Sequence, residues 1–94
     1  MEIISKEKGK TREGIDCYYF EIQSKTKNNC SIAINNNIAV RINCTCMWHT
    51  INNSKEQPET KLCRHLLFAL AKNNIKLPTK YQNKRNLEII EKYK

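Results

Sequence analysis

The chain has no apolar run long enough to cross a membrane. The longest, Leu66–Ala71, falls far short of the ~20 residues a spanning helix needs. The first residues, Met1-Glu2-Ile3-Ile4-Ser5-Lys6, lack the basic segment and long apolar stretch of a secretory signal. An intracellular protein is therefore expected, where cysteines serve metal binding or packing more often than disulfides. Groups for catalysis are scarce as well: two histidines and one aspartate, Asp16. A Cys63/His65 pair working as nucleophile and base would need an orienting third group and an exposed cleft, so an enzyme is not expected. Glycine is rare too, with two residues, while Asn, Ile and Lys are abundant. An AT-rich genome would encode that bias, so the lysine count alone carries little weight.

What is present is a basic, isoleucine-rich chain of one domain's length. Its 94 residues suffice for a single small domain spanning 1–94, with a core expected over 17–74. A domain of this size gains much from a metal or disulfide staple. Seventeen Lys and Arg oppose nine Asp and Glu, a net charge of +8. Half of that excess, six basic against two acidic residues, lies in residues 75–94. Such a balance points to a polyanionic partner, nucleic acid first. A well-solvated surface is the plainer reading.

Apolar residues alternate from residue 17 onward. Tyr18, Phe20 and Ile22 form one period-2 face, Cys30, Ile32 and Ile34 a second, and Ile38, Val40, Ile42 and Cys44 a third. A three-residue loop at Asn35–Asn37 would pair Ile34 with Ile38, Ile32 with Val40 and Cys30 with Ile42. A five-residue loop at 25–29 would set Ile22 opposite Ile32 and Phe20 opposite Ile34. This predicts a three-stranded antiparallel β-meander with one apolar face. Its cover is a helix over Arg64–Asn73, apolar almost all round. Glu2–Lys6 is an ambiguous edge strand. A basic C-terminal helix is expected over about 79–93, capped by Thr79 with Gln82 three residues on, its stripe made by Leu87 and Ile90. The fold class is thus a small α+β domain.

The chemistry concentrates in Cys44-Thr45-Cys46 and Cys63-Arg64-His65. On an extended strand, residues i and i+2 point the same way, so Cys44 and Cys46 present both sulfurs on one side. Within a helix, i and i+2 diverge by roughly 200°. Cys63 and His65 therefore meet one ion only if Cys63 precedes the helix and His65 lies in its first turn. There the helix N-terminus also favours thiolate. Three sulfurs and an imidazole make a closed tetrahedral site for one structural Zn²⁺. His49, three residues after Cys46, competes with His65 for the fourth place. Trp48 reads as a lid over the site or the core, with base stacking as the alternative. Cys30 reads as core, and Cys17 falls on the opposite parity, so no disulfide joins them.

The order Cys-x-Cys, a variable spacer, then Cys-x-His, with strands before it and an apolar helix after it, resembles the SWIM zinc finger. The resemblance covers residues 17–74. It implies that Cys44, Cys46, Cys63 and His65 are the zinc ligands. It also implies DNA binding or protein contacts, since such modules serve helicases, transposases, transcription regulators and recombination subunits. The expected function is nucleic-acid binding, DNA before RNA, mainly through phosphate contacts. Candidate contacts are Lys55, Lys61 and Arg64 near the zinc loop, and Lys72, Lys76, Lys80, Lys84 and Arg85 beyond it. The alternative is an adaptor that docks a protein partner, such as a recombination or helicase subunit, through the apolar helix or the Leu87/Ile90 stripe.

Overall fold

The structure, a computed structural model, describes residues 1–56 and 60–94. Four antiparallel strands run in simple meander order: β1 (Glu2–Lys10), β2 (Asp16–Gln23), β3 (Lys27–Asn35) and β4 (Ile38–Cys44). The α+β class is as expected, but the strand number is not. The ambiguous N-terminal segment forms a full edge strand. Lys6, Lys8 and Lys10 keep that strand charged, which discourages further pairing along it.

The inner face of the sheet carries Phe20, Ile22, Cys30, Ile32 and Ala39, all buried. Both expected hairpin registers need correction. Phe20 pairs with Cys30 and Ile22 with Asn28, because the connection from Gln23 to Lys27 is shorter than the loop 25–29. The slip is by an even number of residues, so the inner face is unchanged. At the next hairpin Asn35 pairs with Ile38 and Ile34 with Ala39. The turn therefore holds two residues, Asn36 and Asn37, both at positive φ (53° and 62°). Two consecutive left-handed residues twist the chain as a tight hairpin requires, and asparagine adopts that conformation more readily than most.

A two-residue turn should drive Ile42 and Cys44 to the outer face. A bulge prevents it. Ala33 pairs with Arg41 directly after Ile34 pairs with Ala39, so Val40 is an extra residue. The bulge restores Ile32 opposite Ile42 and Cys30 opposite Cys44. Val40 is consequently exposed, not inward as expected. Cys17 and Cys30 lie on opposite faces, since Cys17 faces Ala33 while Cys30 faces Phe20.

One helix packs on the inner face of the sheet, and a second braces it. α2 spans Arg64–Lys72 and buries six consecutive residues, Leu66 to Ala71. A short helix, α1 (Met47–Asn53), follows β4 directly, where only a polar loop was expected. The C-terminal segment also differs from the expected helix over 79–93. Thr79–Tyr81 is a single 3₁₀ turn. The helix proper, α3, runs Lys84–Tyr93, capped by Asn83, whose side chain accepts from the Asn86 N–H. Its buried stripe is Asn86 and Ile90, while Leu87 is exposed. Tyr93 meets Phe68 edge-on at 5.1 Å between ring centres, locking α3 to α2. Between the helices, the Lys76 carbonyl accepts from the Ala39 N–H and its N–H donates to the Asn37 carbonyl, covering the start of the β4 edge.

Candidate metal centre

Cys44, Cys46, Cys63 and His65 converge at one end of the domain, their ligand atoms all within 4.8 Å of one another. A tetrahedral ion with Zn–S bonds of 2.3 Å needs edges of about 3.8 Å, so the four donors stand within about 1 Å of closure. The cluster could hold one metal ion.

Each donor is placed by its own local structure. Cys44 ends β4 on the inner face, opposite Cys30. Thr45 is pinned to β3 twice, its N–H donating to the Asn29 carbonyl and its hydroxyl accepting from the Asn29 N–H, both at 3.0 Å. That fixes the residue between two donors. Cys46 is extended (φ −65°, ψ 152°) and caps α1, its sulfur accepting from the His49 N–H at 3.4 Å. Cys63 is extended too (φ −68°, ψ 159°) and opens α2, which puts His65 in the first turn as the spacing required. The positive ends of two helices thus face the sulfurs.

His65 gives the sharpest test of whether a metal fits. Its Nε2 lies 3.1 Å from the Ser24 hydroxyl, and its Nδ1 is buried with no hydrogen-bond partner. His49 has an orphaned Nδ1 as well, so what marks His65 as a metal ligand is its place among the three sulfurs, with its other nitrogen anchored by a polar neighbour. A proton on Nε2 suits Ser24, whose own hydroxyl can donate onward to the Thr26 carbonyl. It suits Asn28 less, because Asn28 Nδ2, 3.3 Å away, is itself a donor.

The thiols divide into unlike roles. Cys44 is held well below the usual thiol range because Cys30 and Cys63 both hydrogen-bond to its sulfur. Cys63 is pushed up by that same bond and by burial. Cys46 is raised chiefly by burial, against the pull of the His49 N–H. Cys30 is raised by its bond to Cys44, then by burial. Three thiols this close do not all ionise unless a cation balances them, which is what a metal would supply.

His49 is buried, but it is not one of the four clustered donors. Its Nε2 lies 2.9 Å from Asn53 Nδ2, and burial lowers its basicity. Ser24, Asn28 and Asn86 were not anticipated. Nothing local in the sequence marks them, because each reaches the site through a tertiary contact.

Asn86 is fully buried and has all four of its amide hydrogen-bonding positions in use. Nδ2 donates to the Thr60 and Tyr81 carbonyls, and Oδ1 accepts from the Leu62 N–H and from Arg85 Nη1. Arg85 Nη1 also donates to the Leu62 carbonyl at 2.9 Å. α3 is therefore a brace that fixes the residue just before Cys63.

The expected phosphate contacts are spread over the molecule. Arg64 and Arg85 line one groove with Trp48, Cys46, Cys63 and His65. Lys72 lies over the Phe68 ring and Lys80 over the Tyr81 ring. Lys84 pairs with Glu88 at 4.0 Å. Lys55, Lys61 and Lys76 are exposed. Trp48, expected as a lid, remains 40% exposed.

No family model matches the chain, and neither the curated proteins nor the solved structures contain a match to it. Among the described residues no helix is long and apolar enough to cross a membrane.

Proposed function

We propose that this protein is a zinc-stabilised module, similar to the SWIM zinc fingers, that binds nucleic acid through phosphate contacts without performing chemistry. Three thiolates and an imidazole suit zinc by softness and by tetrahedral preference. Four protein donors leave no coordination position for a substrate or a reactive water, which supports a structural role for the metal.

The observation that carries the nucleic-acid reading is the pairing of Arg64 and Arg85 beside the metal centre, with no carboxylate in the lining of their groove among the described residues. Arg64 has no hydrogen-bond or ion-pair partner among the described residues, so its guanidinium is available to a phosphate. The adaptor reading has support too, but on another surface than expected, because Leu66 to Ala71 and Ile90 are buried and cannot dock a partner. Met47 is 77% and Ile51 55% exposed on α1, an apolar surface of the kind a protein partner covers.

Salt separates the two readings. Binding to random DNA should fall linearly in log affinity against log salt, by about 0.9 per duplex phosphate contacted or about 0.7 on single strands. Arg64→Ala should reduce that slope by about one contact with the metal content unchanged. Absence of binding at low salt would pass the function to the adaptor reading.

A further inference from the structure

From the groove beside the metal centre we infer that the ligand is single-stranded nucleic acid, with one unpaired base stacked on Trp48 and its phosphate on Arg64. The inference rests on the nucleic-acid reading and narrows it.

Trp48 is held in an unusual way for an exposed aromatic. It lies one residue inside α1, whose first turn is fastened to Cys46, so its backbone is positioned by the metal centre. The Arg85 guanidinium lies 5.9 Å from the centre of its ring. That guanidinium is itself fixed by two hydrogen bonds, to the Leu62 carbonyl and to Asn86 Oδ1. The indole is thus braced by a fixed cation while 40% of the residue stays open to solvent. A pre-set aromatic face loses little freedom when a flat ligand lands on it.

The groove's shape and charge select among ligands. Its volume is about 260 Å³, sized for a single planar base rather than for the wall of a duplex. Its lining holds Arg64 and Arg85 and, among the described residues, no acidic group. An aromatic face flanked by cations is the combination that binds single strands, stacking for the base and charge for the backbone. Paired bases have their faces covered by their neighbours and cannot use Trp48 in this way. The contact is therefore tolerant of base identity.

Trp48 is the chain's single tryptophan, so its fluorescence reports on the proposed contact directly. The metal-loaded full chain is titrated with oligothymidylate of about 16 nucleotides and with a duplex of the same length. Expected are quenching of the indole by the single strand, tighter binding to it than to duplex, and a loss of roughly ten-fold or more in Trp48→Leu, with metal content retained. Trp48→Phe, which keeps a stacking face, should retain most of the affinity. If Trp48→Leu fails to fold, quenching of the wild-type indole by the single strand decides the matter. Single-strand binding without quenching, or unchanged affinity in a folded Trp48→Leu, overturns the stacking site. Duplex preference with a silent indole overturns it too, yet leaves the nucleic-acid reading standing. No binding to either probe at low salt removes both.

Discussion

At His65 two ring nitrogens have separate tasks, and both can be tested. Nδ1 is the orphaned nitrogen, and Nε2 is anchored at Ser24. Ser24→Ala should therefore weaken metal binding by roughly 10- to 100-fold, the usual effect of removing a partner that orients a ligand, in competition with a chromophoric chelator. His65→Ala should weaken it further, whereas His49→Ala should leave the stoichiometry unchanged. The reverse order of damage would make His49 the ligand. The thiols carry a pH prediction. Burial holds Cys46 up as a thiol, and the bond to Cys44 does the same for Cys63, so metal binding must release protons and affinity must rise with pH. Calorimetry in buffers of different ionisation enthalpy detects that release. Binding that releases no protons and does not tighten with pH would contradict it.

The elements set the donors in place, and β4 shows how. Val40 is the residue by which this strand exceeds its partner. Deleting it should leave every pair from Arg41 to Cys44 intact and the metal stoichiometry unchanged. Metal loss in that variant would show that the bend of the bulge, rather than the register, positions Cys44. α3 carries the complementary test. Asn86→Ala strands the Leu62 N–H and two carbonyls, at a cost on the order of 2–4 kcal/mol in urea unfolding. The contrast between these elements explains what could be read from sequence. The Cys-x-Cys pair at a strand end and the Cys-x-His pair at a helix start were legible, because spacing and periodicity are local. So was α2, from its continuous apolar run. The bulge was not, because a two- and a three-residue turn differ only in which residues flip, and both fit an Asn-Asn-Asn run until the strand beyond is placed. The role of α3 was hidden for a like reason. Arg85 looks like a free surface charge in sequence and becomes a brace only when Leu62 is beside it.

For the whole molecule, the candidate metal centre ties together elements that also share the core. It draws on the end of β4, the starts of α1 and α2 and, through Ser24, the β2–β3 hairpin. Structural zinc contributes apparent binding energies on the order of 10 kcal/mol or more, comparable with the total stability of a small domain at about 5–15 kcal/mol. Cys46→Ser or Cys63→Ser should accordingly unfold the metal end, as should a strong chelator, followed by circular dichroism. Cys17→Ser, on the outer face of the sheet opposite Ala33, should change stability far less. The measurement that bears most directly on the account is metal analysis of freshly purified wild-type protein beside Cys63→Ser. One zinc per wild-type chain is predicted, with loss of both zinc and the metal-end fold in the variant. Wild-type protein that is fully folded and free of zinc would contradict it.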